Sequence, residues 1–441
     1  MIGQLLRPVD RLLRKITEKF IIFRLRFSPE QTSGRRRLLI DCTDLRHVTY
    51  PSGIPRVTWQ ITAHALRLGR SFEIEVIPVE FFGETLIAVP TERFRDRMPL
   101  SPDSPRLLSK ISRNLRRYRD AFRYAMADRP GDLLLCPGHF PYTKQPAIEA
   151  FRQRKSRQVF YIIHDLIPIT HPEFLPPVSK EWFSEWLQRT FRCADGYLCV
   201  SRTTAKTLKS YMRARKIAPS RYAISHFRPG SDPLPGSRPR PTGISARLSE
   251  IFRGETPVYL TVSTIEPRKN HACIIEAFEM LWASGSDAAL LIVGRVGWMV
   301  EALVRRIRTH PEYGRRLLML NNVTDDELTD CYRKSRALIF ASFTEGFGLP
   351  LAEAASHDLP VLASDTEIHR EVLEDHALFF DPNAPSSLFR LLQGIEEGSV
   401  VPGSFEGAAH LFPDWRESTR SILETLLDHM QPGGKDGHAP A

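Results

Sequence analysis

The chain has 441 residues, 42% hydrophobic and 25% charged, with a formal net charge of +10 and a pI near 9.4. That length exceeds one ordinary core and predicts two domains, and the composition excludes a disordered or fibrous chain. The basic excess points to an anionic partner such as a phosphorylated ligand or an acidic lipid surface, or else to no more than an arginine-rich proteome. No stretch reaches the roughly 18 uninterrupted apolar residues of a spanning helix, and the charge-interrupted N-terminus is not a signal peptide. Six cysteines (Cys42, Cys136, Cys193, Cys199, Cys273 and Cys331) are scattered with no C-x-x-C pair. This is the pattern of buried thiols in a reducing cytoplasm.

In MIGQLLRPVDRLLRKITEKFIIFRLRF, apolar residues recur at Ile2, Leu5, Val9, Leu12, Leu13, Ile16 and Phe20 with basic residues between them. The spacing predicts a basic amphipathic extension over residues 1–36, with its helix starting near Pro8. Such a helix suits either an anionic membrane interface or packing on protein. From Arg37 the runs RLLIDCT, FEIEVIPV, DLLLCPG, QVFYIIHD and DGYLCVS alternate with helix-like stretches, the pattern of parallel strands and crossover helices. They define an N-terminal α/β domain, 37–235, in which Arg106–Arg129 reads as a single basic helix. Arg228–Ser245 is too rich in Pro, Gly and Ser for a helix or a central strand, and a linker is assigned to 236–250. The alternation restarts with PVYLTVST, AALLIVG, RRLLMLNN, RALIFAS and PVLASD as strands. His271–Trp282, Met299–Thr309, Asp325–Ser335 and Leu349–His357 are the intervening helices of a second α/β domain, 251–410. A helix near Trp415–His429, within 411–430, is expected to return to the N-terminal domain, and 431–441 reads as a disordered tail. There is no internal repeat and no nucleic-acid-binding module, so no nucleic-acid partner is expected.

The densest chemistry lies in TEGFGLPLAEAASHDLPVLASD, Thr344–Asp365. Glu345-Gly346-Phe347-Gly348 reads as a strand-to-helix turn, with Pro350 in the first helical turn, where proline is tolerated. Ligands of doubly wound sheets bind along this edge. The glycines let backbone N–H groups approach an anion, and the helix start adds a positive dipole end. Glu353, inside the helix, is placed to accept hydrogen bonds from the adjacent hydroxyls of a ribose, while Glu345 on the turn would face the group beyond the phosphates. In STIEPRKN, Ser263–Asn270, an arginine fork and a lysine point charge (Arg268 and Lys269) match a diphosphate, and Asn270 is a candidate cap for the next helix. The plain alternative for each motif is a solvated surface pair.

Over Pro257–Pro382 the chain resembles the retaining glycosyltransferases of family 4. The resemblance rests on VSTIEPRKNH, LIVGRVGW, NNVTDDEL, ASFTEGFGLPLAEAASHDLPVLASD and EIHREVLEDHALFFDP. It implies the GT-B architecture, two Rossmann-like doubly wound α/β domains facing each other across a cleft. By that resemblance, Arg268 and Lys269 hold the donor diphosphate, and Ser263, Thr264, Gly294 and Arg295 line the donor site. Glu345 and the backbone of Gly346, Phe347, Gly348 and Leu349 face the sugar and phosphates, Glu353 binds the ribose, and no metal or other cofactor is required. The N-terminal half matches more loosely. SGIPRV, Ser52–Val57, resembles the family's glycine loop and brings Gly53 toward the phosphates. FYIIHDLIPITHPEF puts His164 beside the transferred sugar, its alternative being a capping or core histidine. Thr264 stands near where many members carry an arginine, Asp358 replaces the usual glycine at the helix exit, and Trp298 either touches the nucleotide or is structural.

The resemblance implies transfer of a hexose from a nucleotide-diphosphate sugar, with retention, to a glycan or lipid-linked oligosaccharide acceptor. The EPRKN and HDLIP segments resemble those of bacterial mannosyl- and rhamnosyltransferases that build surface polysaccharides, so GDP-mannose is the first donor expected, with UDP- and dTDP-sugars open. The place of action would be cytoplasmic, with peripheral contact to an anionic membrane. Two other readings are a nucleotide-sugar epimerase, which needs no acceptor, and a non-catalytic nucleotide-sugar-binding subunit, against which the intact Glu345, Glu353, Arg268 and Lys269 argue.

Overall fold

Strands buried on both faces need apolar residues at successive positions, and parallel sheets covered by helices on both sides are built from such strands. A computed structural model of the chain, described over residues 17, 35–47, 53–96, 119–138, 144–154, 156–232, 248–321 and 323–430, folds the apolar runs this way. The first sheet has the order β4-β3-β2-β1-β5-β6-β7-β8. Its strands are β1 (Arg36–Asp41), β2 (Ile74–Phe82), β3 (Thr85–Ala88), β4 (Ala125–Met126), β5 (Leu133–Cys136), β6 (Gln158–Ile163), β7 (Gly196–Cys199) and β8 (Ala223–His226). β3 pairs antiparallel with both β2 and β4 at the edge, and the other pairings of the sheet are parallel. The second sheet is parallel throughout, in the order β11-β10-β9-β12-β13-β14. It comprises β9 (Val258–Val262), β10 (Ala289–Val293), β11 (Leu317–Leu320), β12 (Ala337–Phe340), β13 (Val361–Ser364) and β14 (Leu378–Phe380). Two Rossmann-like sheets thus make a GT-B architecture.

The cleft and the join between the halves are shaped by helices α1 (Ile54–Leu68), α2 (Val178–Cys193), α3 (Arg202–Ala214), α4 (His271–Ala283), α5 (Leu349–Ser356) and α6 (Trp415–His429). The last of these lies against α1 in the N-terminal half. Trp415, Ile422, Leu423 and Leu426 share one buried cluster with Val57, Ile61 and Ala65. The join is polar as well. Ser231 N–H donates to Pro413 O (3.0 Å), Trp415 N–H to Asp232 Oδ1 (2.6 Å) and Ser418 Oγ to Arg228 O (2.6 Å). Gly230 is required here, because a Cβ on it would lie 2.5 Å from the Trp415 backbone nitrogen and ring.

Several expectations need correction. The basic helix does not run to Arg129: its described part ends at 124, and Ala125–Met126 instead pair with β3 as an edge strand. The helix expected from Met299 starts at Glu301, because Met299 itself is left-handed (φ 55°). Asn270 precedes α4 but makes no side-chain cap. It too is left-handed (φ 54°), and its amide donates to Pro382 O at 2.8 Å. All six cysteines are buried thiols. The amphipathic helix of the N-terminal extension, the linker core and the C-terminal tail lie outside the described residues. No helix among the described residues is long and apolar enough to cross a membrane.

Trp415 is fully buried at the join. Trp415→Ala is expected to cost about 3–5 kcal/mol, read as a lower urea midpoint; an unchanged midpoint would show that α6 does not hold the halves together.

Candidate active site

In the second sheet the first strand, β9, lies beside the fourth, β12, with β10 and β11 on one side and β13 and β14 on the other. The chain therefore reverses its winding between β9 and β12, and the crevice beyond the carboxyl ends of such a strand pair is where doubly wound sheets bind ligands. The two motifs singled out in the sequence are the loops after these strands. They are joined by backbone, Phe343 N–H donating to Arg268 O at 2.9 Å, and by Arg268 Nη1, which donates to Thr344 O at 3.2 Å.

The side chains of these loops form one buried ionic cluster. Glu345 accepts from Arg268 Nη1 through Oε2 (2.7 Å) and from Lys269 Nζ through Oε1, while Arg268 Nε donates to Glu266 Oε1 at 2.6 Å. Glu345 thus turns in upon the two cations rather than pointing out past the turn. Two cations face two carboxylates, so the cluster is formally neutral. Glu266 is a member that the sequence did not single out, although it sits inside the STIEPRKN motif, two residues before Arg268. Burial opposes ionisation of Glu345, yet Arg268 and Lys269 outweigh it and hold the carboxyl at about 2. Burial, and then the neighbouring Arg268, draw the Lys269 ammonium below its ordinary value. The same ammonium lies 4.9 Å from the centre of the Phe340 ring.

Glu353 projects from α5. Its Oε1 accepts from Arg56 Nη1 and its Oε2 from the Tyr332 hydroxyl, both at 2.5 Å. Arg56 belongs to the other half of the molecule, in the first turn of α1 just past Gly53. Gly53 is held at φ 59°, ψ −128°, a conformation that suits glycine alone.

The N-terminal half closes on the same turn. His164 comes just after β6, and its Nε2 lies 2.8 Å from Pro137 O. A carbonyl can only accept, so Nε2 is the donor in this hydrogen bond. The His164 carbonyl packs against Gly346, where a Cβ would come within 1.7 Å of it. Ser201 Oγ (2.7 Å) and Thr204 Oγ1 (3.2 Å), at the start of α3, donate to Gly346 O, so this carbonyl faces the N-terminal half. Glu371 reaches over from the second half to accept the Arg202 and Thr203 N–H groups, each at 2.7 Å. Phe174 and Phe343 stack with centroids 5.3 Å apart, and Trp298 Nε1 donates to Phe174 O at 2.9 Å, giving this tryptophan a structural contact across the cleft.

The other residues named from sequence lie around this centre. Ser263 Oγ pairs with His271 Nε2 at 3.2 Å. Gly294 allows β10 to end against Ser263, whose carbonyl oxygen would be 1.8 Å from a Cβ. Thr264 and Arg295 are exposed, on the loops after β9 and β10. The Phe347 side chain is packed into the core, so only its backbone is available to a ligand. Gly348, left-handed at φ 96°, turns the chain into α5, which Leu349 begins. Asp358 takes the left-handed exit from α5 (φ 51°) and accepts from Phe405 N–H at 2.8 Å, so it shapes the helix end. Among the described residues no group of His, Cys, Asp and Glu is arranged to hold a metal ion.

Burial holds His369 at about 4 and His271 at about 3, well below the ordinary value of 6.5. As pH falls below about 6.5 the unfolded chain takes up protons that these folded imidazoles refuse, so stability is lost from there down through 4 and 3. Glu345 adds its own loss below about 4.5 toward 2. The melting temperature is therefore expected to fall steadily below pH 6.5, with a shallower slope between pH 6.5 and 4 in His369→Gln. A flat melting temperature from pH 7 to 4.5 would contradict the assignment.

Residues 246–402 match the family model described as Glycosyl transferases group 1, and residues 51–221 match Glycosyltransferase Family 4. The serotype-specific mannosyltransferase WbdA of Escherichia coli is 30% identical over 406 residues, 89% of this chain and 46% of the relative. The O-antigen chain mannosyltransferase RfbU of Salmonella typhimurium is 30% identical over 237 residues, 53% of this chain and 60% of the relative. The chain thus spans less than half the length of WbdA. Among solved structures, Anabaena HepE in complex with UDP-glucose superposes with a TM-score of 0.60 at 16% identity, over 89% of this chain and 100% of that one, a likeness of fold.

Proposed function

The chain belongs to the family 4, group 1 glycosyltransferases, and we propose that it moves a hexose, mannose from GDP-mannose in the first instance, onto a growing surface-polysaccharide chain with retention of configuration. The observation that carries this reading is the Arg268–Lys269–Glu345 cluster at the switch point of the second sheet, with the His164 backbone of the first packed against Gly346 beside it. As the anomeric C–O bond breaks, the sugar becomes oxocarbenium-like and the departing diphosphate gains negative charge. Arg268, Lys269 and the N-terminus of α5 would stabilise that charge where it develops. Glu345 keeps the two buried cations neutralised and oriented, and a diphosphate would take over contacts that the carboxylate makes. No metal is called for, because fixed cations do the work a divalent ion does elsewhere. The acceptor hydroxyl would enter on the face the leaving group departs, with a phosphate oxygen taking its proton.

Mannose is favoured because the relatives sharing 30–35% identity are mannosyltransferases, RfbU among them named for the O-antigen chain. The UDP-glucose of HepE belongs to a neighbour only 16% identical and bears on fold alone. The acceptor would be a glycan or lipid-linked oligosaccharide, reached by peripheral contact with an anionic membrane surface; UDP- and dTDP-sugars are the alternative donors.

With GDP-mannose and a mannose-terminated glycolipid acceptor, Lys269→Ala and Glu345→Ala are expected to lower turnover by about 10²–10³-fold while far-UV circular dichroism stays native. Activity of the unmodified chain should survive a chelator. Near-normal turnover in either folded variant, or abolition by the chelator, would overturn the assignment.

A further inference from the structure

Arg56 is a largely buried arginine whose one close ion pair among the described residues is with Glu353. Of its donors, Nη1 meets Glu353 at 2.5 Å, Nη2 makes a long 3.4 Å contact with the Asp232 carbonyl, and the buried Nε has no acceptor among the described residues. Its one strong hydrogen bond goes to the carboxylate that the family resemblance assigns to the donor ribose. The other oxygen of that carboxylate is held by Tyr332, which comes from the same half as Glu353 and is itself buried. A ribose offers two adjacent hydroxyls to a carboxylate. A hydroxyl that takes the Oε1 position now held by Arg56 displaces a group from across the cleft, while the Tyr332 contact can persist without any movement between the halves.

Asp232 gives this contact a wider reach. Its carbonyl faces Arg56, and its Oδ1 accepts the Trp415 N–H at 2.6 Å, where the chain re-enters the N-terminal half. The guanidinium therefore bridges the join of the two halves and the nucleotide site.

We propose that Arg56 is a latch on that site: it and the donor's ribose compete for Glu353, so that seating a nucleotide releases an ion pair tying the halves together. The proposal rests on the reading of Glu353 as the ribose carboxylate. Removing Arg56 leaves a largely buried carboxylate short of a donor, which is costly, and a ribose diol supplies the missing hydrogen bond. Loss of the arginine should therefore tighten nucleoside binding, whereas a simple cation for the phosphates would weaken nucleotide binding on removal.

Calorimetric titration of the full chain with guanosine and with GDP tests this. The neutral nucleoside removes any phosphate contribution from the comparison. Arg56→Ala, with Arg56→Gln as a second variant in case the first fails to fold, should bind guanosine roughly three- to tenfold more tightly than the unmodified chain. The gain should vanish when Arg56→Ala is made in a Glu353→Ala background. Unchanged or weaker guanosine binding in the folded Arg56 variants, or a gain that persists without Glu353, would overturn the latch while leaving the nucleotide site standing. If neither the unmodified chain nor the variants bound GDP, UDP or dTDP, the nucleotide site would fall, and the latch with it.

Discussion

The central constraint is the buried ion cluster that knots the loops after β9 and β12 together. Burying two cations side by side is unfavourable unless each finds an opposite charge, because desolvation removes more than hydrogen bonds alone return. Glu345 meets both, and Glu266 takes the remaining edge of Arg268. The cluster sits at the switch point of the sheet, so the residues that stabilise the crevice are also those with the chemistry to hold an anion there. An entering diphosphate would exchange with carboxylates already in place and would not have to organise loose cations.

The second constraint is closeness between the halves. Gly346 presses against the His164 backbone with no room for a methyl group, and its carbonyl is caught by Ser201 and Thr204. Glu371 on the N-terminus of α3, the Phe174–Phe343 stack and the Arg56–Glu353 pair surround that contact. The turn that carries the chemistry is therefore also the surface on which the two halves meet, which makes events at the turn and movement of the halves one coupled problem.

Much of the fold was legible because parallel strands buried on both faces are written as unbroken apolar runs, and each apolar run singled out in the sequence lies on a strand. The strands that escaped notice, β3, β4, β8 and β14, are short and lie at or next to sheet edges, where partial exposure blurs the pattern. The Arg106–Arg129 stretch has helical spacing to its end, yet that end is taken into edge pairing with β3. The two site motifs could be read because each is contiguous, and the family resemblance supplied the roles that spacing could not. The remainder depends on partners far away in sequence. Asn270 has the composition of a cap but spends its amide on Pro382, and nothing near Glu353 announces that Arg56 will reach it. Glu266 was within view, yet an acidic residue beside two basic ones reads as a surface pattern until burial is known.

The proposed transfer depends on Arg268 and Lys269 being the groups that hold the donor's diphosphate. The most direct measurement is the difference in binding free energy between GDP and guanosine, taken by calorimetry in the presence of a chelator, for the unmodified chain and for Lys269→Ala. GDP should bind the unmodified chain much more tightly than guanosine does, and most of this difference should be lost in the variant while guanosine affinity is kept. A GDP preference that survives without Lys269, or that appears only when a divalent metal is added, would contradict that role.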